Sequence, residues 1–346
     1  MKRGAPVTIK DVAKRAGASL STVSYVLNDN AEKFVSEELR RRVLQAAKEL
    51  NYRPNQIARR LRGKTGKILA VLVPQFENVY FNRVVIGAQK VADERGYVLC
   101  IYSTYDDEER ETDFIQNIVA QRVDGILLCP ANNRTSAADL IREAGVPFVV
   151  IDREIAGADF DFVAIDNYQA AYAAAEYLIA QGHTRIAFCG WATSVDAVVK
   201  RREGFLAAAE KHGLSQQVTV WECDRDQHDD ALYREGIARI ISEFRPTALF
   251  IGQNQIAERI IRVLNHAPLN VPDLSVLLFG DPPWATITKP AYTCMAQPDA
   301  RMGELATELL IARIEEPEKP VERILLQAEL VERDSVHKLT VMGGKS

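Results

Sequence analysis

The chain has 346 residues, 47% of them hydrophobic and 26% charged, the balance of a soluble globular protein with room for two or three domains. No apolar run reaches the roughly 18 residues that span a bilayer, and no apolar core follows the charged start to make a signal peptide, so we expect a cytoplasmic protein with no membrane partner. The formal charge of −4 hides a division: residues 1–67 carry 16 Lys and Arg against 6 Asp and Glu, a net of +10, and the remainder nets −14, an asymmetry that points one end of the chain at a polyanion.

Taken in order, Ile9, Val12, Ala13 and Ala16 recur at i, i+3, i+4, i+7, the apolar stripe of a short helix. Thr8 stands at its N-cap, Asp11 completes a capping box, and Gly17 supplies the left-handed residue that ends it. Ser19 then caps a second helix with the stripe Leu20, Val23, Val26 and Leu27. Two short helices across a tight glycine turn match the helix-turn-helix, whose second helix enters the DNA major groove. Its other face carries Ser21, Thr22, Ser24 and Tyr25, polar groups and one aromatic suited to base edges and phosphates. An ordinary helical hairpin with a polar outer face is the alternative. Asn28, Asp29 and Asn30 form a turn cluster. Ser36 opens a third helix whose stripe Leu39, Val43, Ala46, Ala47 and Leu50 closes a three-helix core. Of Arg40, Arg41, Arg42 and Lys48 on its other faces, at most one or two are expected on phosphate. Pro54 suits the first position of a further short helix, and Gly63 to Gly66 form a flexible link.

The run Ile9-Lys10-Asp11-Val12-Ala13, Gly17-Ala18-Ser19, Thr22-Val23-Ser24 and Val26-Leu27-Asn28 resembles the DNA-binding head of the lactose/galactose repressor family. Tyr52, Pro54, Asn55, Ala58, Arg59 and Leu61 resemble that family's hinge, and the resemblance continues to about Val336. It implies DNA contacts from Thr8, Ser19, Leu20, Ser21, Thr22, Ser24, Tyr25 and Asn28 in the head, and from Tyr52, Asn55, Ala58, Arg59, Leu61 and Arg62 in the hinge. Leu61 would be the wedge between base pairs, entering from the minor groove, with the unstacking cost of a few kcal/mol offset by contacts to bent DNA. Tyr25 stands at the variable base-reading position, so the operator should depend on it and on Leu20 and Ser21. The family binds palindromic double-stranded operators as a homodimer, and the tail after Val336 is too short for the tetramer helix of some relatives.

From Lys67 the pattern becomes strand, helix, strand. Apolar strands are expected at 68–73, 97–102, 125–129 and 148–151, and a second series, starting near Asp161, has strands at 185–189, 218–222, 247–251 and 275–279. A last helix runs from about Pro298 to Ile314. Continuous apolar strands alternating with helices indicate parallel sheets covered on both faces. The fold class is therefore a small all-α helix-turn-helix head on an α/β two-lobed body similar to periplasmic binding proteins. The expected domains are 1–52 for the head, 53–66 for hinge and linker, 67–336 for effector binding and dimerisation, and 337–346 for the tail.

Such lobes bind ligands outside the carboxyl ends of their strands, in the cleft between them. Candidate effector contacts are Tyr80, Phe81, Asp152, Arg153, Arg201, Gln253, Asp281 and Trp284. By the resemblance Arg201 contacts effector, its fork suited to two hydroxyls or a carboxylate, and Tyr80 and Phe81 edge the cleft. Two departures remove a carboxylate each: Gly280 replaces the first of two usual acids, and Gln253-Asn254 replaces the usual Asn-Asp. We therefore expect a carbohydrate-like effector, with a sugar acid or sugar phosphate favoured by the reduced negative charge.

The resemblance implies a repressor of carbohydrate-utilisation genes released from its operator by that effector. A corepressor-dependent, purine-type regulator is the alternative, with a solute-binding protein or an enzyme carrying a fused head behind it. For an enzyme the residues offer little. No Gly-x-Gly-x-x-Gly is present, Leu339 stands where the phosphate loop similar to Gly343-Gly344-Lys345-Ser346 needs glycine, and His183 has no nucleophile beside it in sequence. The five histidines lack metal spacing and the five cysteines suit buried thiols, so no catalytic residue, metal or cofactor is expected.

Overall fold

The computed structural model describes residues 7–27, 35–52, 66–134, 136–155, 157, 159–224, 230–266 and 273–339. Met1–Gly66 and Lys67–Ser346 are two separate compact units.

The first unit is three helices, α1 (Ile9–Ala16), α2 (Leu20–Leu27) and α3 (Glu37–Glu49). The Asp11 carboxylate accepts from the Thr8 N–H at 2.8 Å and the Thr8 hydroxyl at 2.7 Å, tying off the start of α1. Gly17 ends it at φ 62°, where a side chain would be strained. Ser19 Oγ accepts from the Thr22 N–H at 3.1 Å and Ser36 Oγ from the Leu39 N–H at 3.4 Å, so each of the next two helices has its own cap. Val12, Val23, Val26, Val43 and Ala46 are buried together as the core. Leu20 departs from the expected stripe, being 44% exposed. It is the first residue of α2, and its Cβ leans back past the helix start instead of inward.

The second unit contains two six-stranded sheets. The first holds β1 (Ile68–Val73), β2 (Val98–Ser103), β3 (Gly125–Leu128), β4 (Phe148–Ile151), β5 (Phe162–Ile165) and β11 (Arg323–Leu326), in the order 11-5-4-3-1-2. The second holds β6 (Ile186–Ala192), β7 (Val218–Asp224), β8 (Ala248–Ile251), β9 (Ser275–Phe279), β10 (Thr293–Ala296) and β12 (Glu329–Val331), in the order 12-10-9-8-6-7. Every described pairing is parallel except β10 with β12. Helices α4 (Val79–Glu94), α5 (Glu108–Ala120), α6 (Ser136–Glu143) and α11 (Asp299–Glu315) cover the first sheet. Helices α7 (Asn167–Ala180), α8 (Asp196–Lys211), α9 (Asp230–Arg239) and α10 (Asn254–His266) cover the second. None of the helices among the described residues is long and apolar enough to cross a membrane.

The lobe boundary differs from the expectation. Residues near Asp161 do not start the second lobe: β5 pairs with β4 and β11 in the first sheet. A parallel pair is usually joined by a helix, and the link from β4 to β5 has none among its described residues, so the break in rhythm suggested a domain boundary that is not there. The chain also returns late, through α11 and β11, to finish the first lobe, and through β12 to finish the second.

Helix α11 lies close against α4 because glycine stands at both sides of the crossing. A Cβ on Gly87 would fall 1.9 Å from the Ala300 carbonyl oxygen, and one on Gly303 would fall 1.9 Å from that of Val84. Both obstacles are backbone and cannot swing aside. Gly303→Ala should therefore destabilise the body by about 1–3 kcal/mol, the usual cost of overpacking. Urea unfolding followed by tryptophan fluorescence reads this as a lower midpoint; an unchanged midpoint would show that the two helices separate freely.

Candidate functional site

In the first unit the outer face of α2 is open. Leu20 and Tyr25 are 44% and 52% exposed, and Thr8, Ser19 and Ser21 are exposed as well. Thr22 and Ser24 are half-buried, and the Thr22 hydroxyl is 2.8 Å from Ser19 Oγ. Tyr52 packs against the three-helix core, so its ring is partly structural. Arg15 on α1 bonds Glu49 on α3 through Nε at 3.0 Å and Nη2 at 2.7 Å, fixing the two helices that support α2. Lys10, Lys14, Arg41 and Arg42 are exposed, a positive surround suited to phosphate. Asn28, Asn55, Ala58, Arg59, Leu61 and Arg62 lie outside the described residues.

In the second unit a narrow cleft lies between the lobes, with a free cavity of about 70 Å³. The first lobe contributes Tyr80, Phe81, Asp152 and Arg153; the second contributes Trp191, Val195, Val198, Arg201, Gln253 and Asn254, with Gln297 at the end of β10. The Tyr80 hydroxyl donates to Asp152 Oδ1 at 2.5 Å. Burial, reinforced by that carboxylate, pushes the phenol well above its ordinary pKa. Asp152 itself takes a left-handed backbone, φ 65°, which turns its side chain off the end of β4. Arg153 lines the cleft, but its Nη1 is bound to Asp106 and to the Pro130 carbonyl.

Arg201 is only 8% exposed. Its Nε donates to Asn167 Oδ1 at 2.7 Å and its Nη1 to the Gly252 carbonyl at 2.8 Å, and its guanidinium carbon sits 3.9 Å from the Phe279 ring centroid. Burial lowers its pKa, against the pull of Asp152. Beside it are polar atoms with no protein partner: both Oε1 and Nε2 of Gln253, Oδ1 of Asn254 and Nε2 of Gln297. A buried polar atom left unbonded costs about 1–3 kcal/mol, so these four favour a hydrogen-bonding partner in the cleft, whether water or a guest.

Four hydrogen bonds hold the lobes together around this space. Gln255 Nε2 donates to Gln75 Oε1 at 2.7 Å. Arg83 donates to the Asp281 carbonyl at 3.1 Å. Asp196 accepts from the Glu154 N–H at 3.0 Å, and Lys200 binds the Glu154 carboxylate at 2.7 Å.

Two candidate effector contacts fall outside the cleft lining. The Asp281 carboxylate is taken at both oxygens by Arg333, at 2.9 and 2.7 Å. Trp284, in a short turn at Pro283–Thr286, packs edge-on against Tyr292 and the core of the second lobe. Gly280 stands at φ 91°, and a Cβ there would lie 2.3 Å from Asn254 Oδ1, so the Asn254 amide fills the space of the missing side chain. Gln297 and Trp191 were not foreseen. Gln297 follows the four-residue strand β10, too short to register as a strand, and Trp191 lies in β6 two residues past the expected limit of 189. His183 is fully buried, with Nδ1 2.9 Å from Thr247 Oγ1 and Nε2 3.1 Å from the His337 carbonyl, a structural tie. Cys129, Cys189 and Cys294 are buried, while Cys100 and Cys223 are only half-buried.

Comparison with known proteins finds two matching families. Residues 8–55 match the profile of bacterial regulatory proteins, lacI family, and residues 175–336 match a periplasmic binding protein-like domain. The ribose operon repressor of Escherichia coli (strain K12) is 34% identical over 95% of this chain and 99% of its own length. The HTH-type transcriptional repressor PurR of Klebsiella pneumoniae (strain 342) is 33% identical over 95% of this chain and 96% of its own. In fold the chain is similar to the lac repressor dimer bound to operator and the anti-inducer ONPF, with a TM-score of 0.83 over 96% of this chain and all of that one, at 24% identity.

One buried acid beside the cleft makes stability depend on pH. Asp299 opens α11 with Arg83 3.6 Å away and its own Oδ1 unbonded. Burial pushes its carboxyl up to about 7, with Arg83 only partly opposing. The folded state thus keeps a proton that the unfolded chain loses near pH 4, so this group costs stability progressively as pH rises from about 4 to about 7. Asp299→Asn should raise the urea midpoint at pH 8 and leave it nearly unchanged at pH 4. A difference that is constant across this range would contradict the assignment.

Proposed function

Since the chain belongs to the lacI family of bacterial regulatory proteins, we propose that it is a homodimeric repressor of carbohydrate-utilisation genes, released from a palindromic operator by a small molecule held between its lobes. The observation that carries the effector half is the wall of unbonded amides on Gln253, Asn254 and Gln297, which asks for a hydrogen-bonding guest. The name of the ribose operon repressor supports a carbohydrate. The PurR relative favours a purine as the second reading, with Phe81 and Trp191 available to face a flat ring.

On DNA, α2 would enter the major groove with Leu20, Ser21 and Tyr25 toward base edges, and Ser19 and Thr22 toward the backbone. For the dimer, the first lobe offers Ile86 on α4 and Val98 on the edge strand β2, 64% and 60% exposed. Large apolar side chains left in water on adjoining elements suit a covered face. The switch works by linkage: a guest that prefers one arrangement of the lobes shifts their equilibrium, and through the hinge segments the operator affinity, by about 1–3 kcal/mol in each direction.

Selection of random duplexes by the full chain should enrich a palindrome. Tyr25→Ala should change the preferred bases within each half-site while keeping the half-site spacing, at a cost of about 1–3 kcal/mol on the original sequence. Enrichment of an asymmetric site, or of none, would contradict a symmetric reader of this kind.

A further inference from the structure

Asp299 stands on the seam between the lobes. It begins α11, and the close backbone contacts of Gly87 with Ala300 and of Gly303 with Val84 fix that helix start against α4. Asp299 Oδ2 thereby lies 3.6 Å from Arg83 Nη1 on α4. The same Nη1 donates across the seam to the Asp281 carbonyl at 3.1 Å. The Asp281 carboxylate is held instead by Arg333, at both oxygens. One nitrogen of Arg83 therefore stands between a carboxylate of the first lobe and a main-chain oxygen of the second.

Asp299 is only 7% exposed, and its Oδ1 is buried with no hydrogen-bond partner. Charged and titratable groups face it from both lobes. Tyr80 and Arg83 come from α4, and Asp152, already bonded by Tyr80, from the end of β4. From the second lobe come Asp281 and Arg201. Burial opposes ionisation most, Arg83 offsets it only in part, and Asp152 and Asp281 add to the opposition, so the carboxyl is pushed up to about 7 with the lobes in contact. When the lobes part, Arg83 leaves the Asp281 carbonyl and water reaches Asp299. Its carboxyl then returns toward the ordinary value of about 4. The lobes in contact thus keep a proton that the parted lobes release.

We propose that Asp299 and Arg83 form a proton-operated latch between the lobes: a neutral Asp299 favours the lobes in contact, and an ionised Asp299 favours them apart. Below about pH 4 both arrangements hold the proton, and above about pH 7 neither does, so the balance moves between these limits. Raising the pH from 6 to 8 should shift it about tenfold toward the parted lobes. The latch rests on the reading that the lobes shift against each other; its effect on operator affinity is a second step, measured separately.

Acrylamide quenching of tryptophan fluorescence in the full chain reads the lobes without DNA, because Trp191 lines the cleft. Wild type should be quenched more strongly at pH 8 than at pH 6. Asp299→Asn, neutral throughout, should keep the pH 6 value at both. Arg83→Gln removes the cation that opposes burial, so it should move the midpoint of the pH dependence upward. That variant carries the test if Asp299→Asn does not melt cooperatively. Equal quenching of wild type at the two pH values overturns the latch. So does the same pH dependence in Asp299→Asn, or an Arg83→Gln midpoint that stays or falls. Operator anisotropy is run on the same samples. A wild-type Kd that changes about tenfold between pH 6 and pH 8, with Asp299→Asn fixed at the pH 6 value, supports the latch and its coupling to DNA. If quenching follows pH as stated and the operator Kd does not, the latch stands and the coupling of the lobes to DNA fails.

Discussion

Burying the guanidinium of Arg201 is the constraint around which the body is arranged. It takes Asn167 at the start of α7, the carbonyl of Gly252 after β8 and the ring of Phe279 at the end of β9 to hold one side chain in place. All three lie at carboxyl ends of strands or the helix start beyond them, where an open parallel sheet leaves a crevice. The glycines follow from the same crowding. Gly280 has no side chain because Asn254 stands in its space, and Asn254 begins α10, which closes that side of the cleft. The result is a wall of neutral amides around a single positive group.

What turns such a wall into a switch is that it belongs mainly to the second lobe, whereas the opposite wall belongs to the first. Tyr80, Phe81 and Asp152 face it from α4 and β4. The cross-lobe contacts of Gln75, Arg83 and Glu154 are few, polar and replaceable by water, each worth little more than the usual 0.5–1.5 kcal/mol of a hydrogen bond. Lobes held so lightly can be rebalanced by a guest that bonds both. By contrast the α4–α11 crossing, with backbone against backbone at Gly87 and Gly303, is rigid. The first lobe would therefore move as one piece, which is what coupling over a distance requires.

Much of this was legible in the sequence, for identifiable reasons. The head was readable because its apolar spacing, its serine and threonine caps and Gly17 all specify the same short helices. Leu20 was misread as core because a helical stripe says nothing about where the neighbouring helices end. The strands of both sheets were readable as apolar runs, but β5 was given to the wrong lobe, since a run of Phe162 to Ile165 does not say which sheet it joins. In the cleft, position near a strand end found Gln253 and Asp152. It also nominated Asp281, whose carboxylate is already held by Arg333, a partner 52 residues away that no local pattern reveals. The neutrality of the wall was visible as two missing acids. The hold of Asn167 and the Gly252 carbonyl on Arg201 was not, because it joins segments far apart in the chain.

On the proposed function, the balance between the lobes sets the grip on DNA. Weakening the lobe contacts at residues outside the cleft lining checks this coupling without any small molecule. Fluorescence anisotropy would compare operator affinity for the wild-type chain and for a Gln75→Ala/Lys200→Ala variant, with thermal melting to show that both are folded. Neither residue belongs to the DNA-reading head, yet the operator Kd should change by about tenfold, equivalent to about 1.4 kcal/mol of coupling. An unchanged operator affinity in a folded variant would contradict it.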